Sequence, residues 1–265
     1  MTRVSNGCAC QGFGVKLRAK VALVTGGGSG IGAASCYAFA REGALVAVAN
    51  RTRSKAEAVA RDIESGGGSA IAIAADVALS ADVQRMIKTT VAELGPPDIV
   101  FNNAGISPSG RVTDISESEW DECLNINLKS VFLTARCAIP LMIAAGGGVI
   151  LNTAGTFGIR AAKNKAAYSV AKAGVINLTR SIALDYARDD IRCNAICPGY
   201  VDTPLNEGFP PLARDAFLDQ FQPLTGLIDA EDIADMAVHL ASDAAKMVTG
   251  QVFVVDGGQQ AGLYA

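Results

Sequence analysis

Histidine is almost absent: the 265-residue chain has one, His239. A two-histidine metal site is therefore excluded. A Ser-His-Asp triad would have to use His239, on a helix far from the other motifs and without a G-x-S-x-G elbow. His239 reads as an ordinary helix residue, and no metal is expected. Charge of one sign is lacking too. The 23 basic and 26 acidic residues leave a net charge of −3. That balance gives no basic face for nucleic acid and no acidic tail. Long hydrophobic runs are missing: residues 131–151 are interrupted by Arg136, Pro140 and three glycines, which argues against a membrane span. Residues 1–7 carry no apolar run for a signal peptide. These absences point to a cytoplasmic protein with neither a membrane nor a nucleic-acid partner. The seven cysteines are odd in number, and a chain of this length does not need disulfide staples. Cys8 and Cys10 lie in a Gly-rich tail, Cys36, Cys123 and Cys137 in helical patterns, and Cys193 and Cys197 beside an apolar strand. They read as reduced thiols acting as small hydrophobes.

What is present is an alternation of short apolar runs and longer amphipathic ones, in a chain that is half hydrophobic. Residues 1–18 read as a flexible leader, and 19–265 as one domain. Strands are expected at 21–24, 45–48, 71–73, 98–101, 148–151, 191–196 and 252–255. Helices are expected at 31–42, 53–65, 81–94, 117–145, 166–187 and 230–242. Pro140 is the expected kink of the long one. Residues 198–225 read as irregular, with a short helix near 213–221. Apolar strands alternating with helices mean an α/β fold: a seven-stranded parallel sheet, doubly wound in the Rossmann manner.

The first strand runs into Thr25-Gly26-Gly27-Gly28-Ser29-Gly30-Ile31-Gly32 and then a helix. Glycines let backbone approach a pyrophosphate, and a helix N-terminus offers free N–H groups and positive potential. An acidic residue that would hold the ribose of NAD is expected about twenty residues further on. The second strand ends instead at Asn50-Arg51. A guanidinium there suits a 2′-phosphate, so NADP(H) is favoured and NAD(H) is the alternative. Ser29 adds no second basic group.

Downstream, Tyr168 and Lys172 are spaced i, i+4 and share a helix face. An ammonium beside a phenol favours the phenolate, which suits Tyr168 to acid/base work on a carbonyl or alcohol. The glycine turn, Asn102-Asn103-Ala104-Gly105, Tyr168/Lys172, Pro198-Gly199 and Asp256-Gly257-Gly258 occur in that order. Together they resemble the classical short-chain dehydrogenases/reductases over residues 18–260.

The resemblance implies further roles. Gly26, Gly28, Ser29, Gly30, Ile31 and Gly32 would cradle the dinucleotide. Asp76 and Val77 would border its adenine, and Asn103, Ala104 and Gly105 would pass under the adenosine ribose. Lys172 would also bond the nicotinamide ribose. Pro198, Gly199, Val201 and Thr203 follow the sixth strand, with Val201 and Thr203 on the carboxamide. Asn127 would kink the long helix and hold a proton-relay water, whereas Asn125 reads as a helix-surface residue. Residues 203–226 would form a substrate lid, with Phe209, Phe217 and Phe221 as candidate pocket residues. A homotetramer built partly from the long helix and the last strand is implied, as is hydride transfer between a nicotinamide and a small ketone or secondary alcohol.

One position departs from the family pattern. The serine expected after the fifth strand is Gly155. Three explanations stand: Thr156 supplies the hydroxyl; the chain is a serine-to-glycine variant or a naturally weakened enzyme; or water or Thr153 takes over. Two other functions stay open, a 3-oxoacyl-thioester reductase and a nucleotide-binding protein with little catalysis. Arg160, Lys163 and Lys165 lie just before Tyr168, where they would draw an anionic substrate or simply face solvent.

Overall fold

The computed structural model describes residues 15–207 and 210–262. Seven strands form one wholly parallel sheet in the order β3-β2-β1-β4-β5-β6-β7. They are β1 Val21–Thr25, β2 Leu45–Asn50, β3 Ser69–Ala74, β4 Ile99–Asn102, β5 Gly148–Thr153, β6 Ile191–Pro198 and β7 Val252–Val255. Between and beside them run α1 Gly30–Arg41, α2 Arg53–Ser65, α3 Ser80–Leu94, α4 Glu117–Leu124, α5 Ser130–Ala144, α6 Thr156–Ile159, α7 Ala166–Asp185, α8 Pro211–Phe221 and α9 Ala230–Ala241.

The near-continuous apolar strands are the mark of a sheet covered on both faces. The central strand β1 shows no alternation of buried and exposed residues and is buried at every position. One face packs against α1, α2 and α9, where Phe39 and Phe101 meet edge-on at 6.4 Å. The other packs against α3, α5 and α7 through residues such as Met86, Leu133 and Ile182. Because the strand order reverses between β1 and β4, their C-terminal ends open a crevice at the switch point. Open α/β sheets bind ligands there.

Two expectations change. Residues 15–18 are tied down rather than flexible. Leu17 is 1% exposed, and the backbone N–H groups of Leu17 and Ala19 donate to the carbonyls of Glu42 and Gly43. Residues 1–14, with Cys8 and Cys10, lie outside the described residues. The expected kink at Pro140 is not there, since α5 continues through it; the irregularity in the long helix falls at the turn of Asn127, as the resemblance implied, where Asn125–Lys129 form a π-helical turn between α4 and α5. Proline leaves the carbonyl four residues back without a donor. Here that is Arg136, and both residues lie on the exposed side of the helix. By length and composition Glu117–Ala144 is apolar enough to cross a membrane, yet its α5 half supplies core residues. The described cysteines are free thiols, all buried except the half-buried Cys137.

Candidate active site

The glycine turn joins β1 to α1 as the sequence predicts, and its geometry requires glycine. Gly26 has φ +66°, and a Cβ there would lie 2.9 Å from the Ala104 Cα. A Cβ on Gly32 would collide with the Gly26 carbonyl. Ser29 caps α1 without a side-chain bond, and the first turn holds no acid. The free N–H groups therefore face the crevice with their partial positive charge, an arrangement suited to phosphate. Below the turn, the Thr25 hydroxyl accepts from the Asn103 and Ala104 N–H groups at 3.0 and 3.2 Å. The Asn103 Oδ1 accepts from the Thr153 hydroxyl at 3.1 Å. Three strand ends are thus bonded together under the crevice.

The crevice is lined by the glycine turn, Asn50, Arg51, Asp76, Val77, and the run from Asn103 to Gly105. It also reaches Asn127, Tyr168 and Lys172. A long, polar-floored cleft with a backbone cradle fits an extended dinucleotide. Asp76 fixes the turn after β3, where its Oδ1 accepts from the Ala78 N–H at 2.9 Å. Several lining residues were missed, Lys55 among them. Lys55 stands on the first turn of α2, and its Cβ lies 2.8 Å from where a Gly28 Cβ would be. The legible signal was Arg53 and Lys55 at a helix start without an acid in the first turn. That runs against the helix dipole and makes sense beside a bound anion.

At the other end, α7 presents Tyr168 and Lys172 on one face. The Lys172 ammonium donates to the Thr153 carbonyl at 2.8 Å and lies 5.6 Å from the Tyr168 ring centroid. Burial lowers the Lys172 ammonium to about 8, partly offset by the thiols of Cys197 and Cys123. Burial pushes the Tyr168 phenol up, and the same thiols add to that. The expected depression of Tyr168 by Lys172 is therefore not found: burial holds the phenol above its ordinary value. Asn127 sits in the π turn, 1% exposed. Its Nδ2 donates to the Ile106 and Cys123 carbonyls at 3.0 and 2.9 Å, and its Oδ1 accepts from the Ile106 N–H at 3.3 Å. Gly105 permits this approach, since a Cβ there would lie 2.7 Å from Asn127 Oδ1 and 3.5 Å from Lys172 Nζ. Asn125 is half-buried within the π turn rather than a surface residue.

Beside Tyr168 a second cavity is lined by Ser107, Gly155, Thr156, Phe157, Tyr200 and Phe217, among others. Gly155 has φ +155°, and an added Cβ would lie 3.4 Å from the Tyr168 hydroxyl. A side chain at 155 would point at the phenol. Thr156 opens α6 and is 3% exposed. The Thr153 hydroxyl, given to Asn103, is not free to replace the serine. Gly199 follows β6 and bonds the Val255 carbonyl. Val201 is buried and bridges to Ile228. Thr203 packs on Gly30 and lines both cavities. Of the three lid phenylalanines, Phe217 lines the pocket. Phe221 stacks beside it at 5.1 Å and is 43% exposed, and Phe209 lies outside the described residues. Arg160 and Lys163 face solvent, whereas Lys165 turns inward to Ser107. His239 sits in the last turn of α9, away from both cavities.

The same fold occurs in known proteins. A family model described as enoyl-(acyl carrier protein) reductase matches residues 26–260. The chain is 34% identical to a 3-oxoacyl-acyl-carrier-protein reductase of Thermotoga maritima over 244 residues, 92% of this chain and 99% of that one. It is 40% identical to the cis-4-hydroxycyclohexanecarboxylate dehydrogenase of Sinomonas cyclohexanicum over 243 residues, 91% of this chain and 97% of that one. The crystal structure of a short-chain dehydrogenase/reductase from Burkholderia xenovorans superposes with a TM-score of 0.90 at 36% identity, covering 94% of this chain and 99% of that one. The chain is therefore an oxidoreductase of alcohol and carbonyl groups, a member of the classical short-chain dehydrogenase/reductase family.

Proposed function

We propose that this protein transfers hydride between NADP(H) and an apolar ketone or secondary alcohol, with Tyr168 as the proton donor or acceptor. The observation that carries the reading is the placement of Tyr168 between the two cavities, lining both. One cavity suits a dinucleotide and the other a small substrate.

When bound, the nicotinamide supplies or takes up the hydride. The chain's own residues do the rest. The glycine turn and the N-terminus of α1 hold the pyrophosphate, with Asp76 and Val77 along the adenine. Arg51 and Lys55 both border the crevice beside Asn50, and two cations there favour a 2′-phosphate over a bare ribose hydroxyl. Val201 and Thr203 hold the carboxamide side. In reduction Tyr168, kept protonated by its burial, gives its proton to the carbonyl oxygen as that oxygen gains negative charge. Lys172 stabilises the phenolate left behind, and Asn127 orients the path by which the proton is restored.

Phe157, Tyr200, Leu205 and Phe217 line the substrate cavity, which favours an apolar ring or chain next to the reacting carbon. The Sinomonas relative, named for a hydroxycyclohexane acid, supports a cyclic ketone as probe. A tetramer is also part of the reading. Val170 and Leu184 on α7 and Phe132 on α5 are exposed apolar side chains that subunit packing would cover.

The test is NADPH and NADH consumption with cyclohexanone, and the reverse reaction with cyclohexanol, with acetoacetyl-coenzyme A run beside them. Reduction of cyclohexanone with NADPH preferred supports the reading. Reduction of the thioester alone moves the assignment to 3-oxoacyl thioesters. Cofactor binding without turnover on any of them supports a nucleotide-binding protein with little catalysis.

A further inference from the structure

Glycine at 155 takes a hydroxyl away from the place where the carbonyl oxygen must meet Tyr168. Two of the other hydroxyls that line that cavity are already committed. Thr153 gives its proton to Asn103, and Thr203 gives its own to the Val201 carbonyl at 3.5 Å. Ser107 stands differently. It lies in the loop after β4 and lines the same cavity as Gly155 and Tyr168. Its Oγ accepts from the Lys165 ammonium at 2.8 Å, and its carbonyl accepts from the same ammonium at 2.9 Å. One cation thus pins both the side chain and the backbone of Ser107.

The clamp is itself anchored. Lys165 immediately precedes α7, the helix that carries Tyr168. The loop bearing Ser107 is joined to the same segment by the Gly110 N–H, which donates to the Asn164 carbonyl at 2.8 Å. The loop of Ser107 and the segment leading into the helix of Tyr168 are therefore bonded together at two places. An ammonium has protons only to give, so the Ser107 oxygen can do nothing but accept from it. The serine's own proton stays free for another acceptor. A charged donor on the oxygen also polarises the O–H and strengthens the bond it makes.

We propose that Ser107, held and polarised by Lys165, donates to the substrate oxygen the hydrogen bond that Gly155 cannot. This rests on Tyr168 as the proton donor. Ser107 keeps its proton throughout: the carbonyl carbon gains hydride, and the oxygen gains its proton from Tyr168. Ser107 is then a catalytic residue by contact, and Lys165 a positioning residue.

The experiment measures cyclohexanone reduction, NADPH affinity by fluorescence and thermal unfolding on one set of variants. Ser107→Ala is expected to lower kcat by about 10²–10³, the usual cost of one such donor, with NADPH affinity within about twofold. Adding Gly155→Ser to that variant restores at least about tenfold, because the new side chain starts 3.4 Å from the same phenol. Gly155→Ser alone brings no large gain in kcat, since the donor is already present. Lys165→Met lowers kcat by about tenfold without moving NADPH affinity, and Lys165→Arg regains part of it. A large gain from Gly155→Ser alone overturns the proposal, whether or not Ser107→Ala folds. So does a Ser107→Ala enzyme equal to the parent, a loss that Gly155→Ser leaves unrepaired, or a loss that falls on Thr156→Val instead. Tyr168→Phe separates the two levels. If it keeps full turnover, the reading of Tyr168 fails, whatever Ser107 does. A parent protein that reduces no ketone overturns both.

Discussion

A Cβ built on Gly155 lies 3.4 Å from the Tyr168 hydroxyl, and among the described residues other than its chain neighbours no other heavy atom lies within 4 Å. The site thus retains the room and the direction for a side chain that the sequence omits. At φ +155° and ψ 157° Gly155 occupies a region that residues with a Cβ seldom enter.

Gly155→Ser should therefore be destabilising even where its hydroxyl is useful. The expected cost is about 1–3 kcal/mol, unless the turn into α6 rotates to relieve it. Urea unfolding of the two proteins checks this. An unchanged midpoint with an unchanged slope would show that the turn absorbs the residue freely.

Arg51 and Lys55 face one end of the crevice together. Removing one charge-assisted bond to a phosphate costs about 1.5–3 kcal/mol, or roughly ten- to a hundredfold in affinity. Arg51→Ala and Lys55→Ala should each raise the KM for NADPH by that order and leave NADH nearly unaffected. Equal losses with both cofactors would contradict a 2′-phosphate site.

Lys172 titrates at about 8 because burial disfavours its charge. Below that pH it is an ammonium, and above it a neutral amine. If the ammonium stabilises the Tyr168 phenolate, reductive kcat/KM should be level below pH 8 and fall as pH rises through it. A pH–rate profile that stays level to about pH 10, the ordinary tyrosine value, would contradict that role.

Much of this was legible in the residues themselves. Val21–Thr25 and its companions announce buried parallel strands because they are apolar nearly throughout, and glycines follow the ends of α1, α2, α3 and α5. The Gly26–Gly32 turn and the Tyr168/Lys172 spacing are local patterns, so the chain order alone revealed them. What stayed hidden depends on folding partners. Ser107 and Lys165 meet across 58 residues. Pro140 drew attention as a kink that the helix does not show, whereas the kink that the resemblance implied at Asn127 is there, and only folding shows its reach across to Ile106. The rise in Tyr168 was equally illegible, since spacing shows a neighbouring ammonium and not the burial.

The measurement that tests the account most directly compares the parent with Tyr168→Phe in NADPH-dependent cyclohexanone reduction, with NADPH affinity measured on both. The account predicts a fall in kcat of about 10²–10⁴ with affinity nearly unchanged, because only the transferable proton is lost. A Tyr168→Phe enzyme that reduces the ketone at the parent's rate would contradict it.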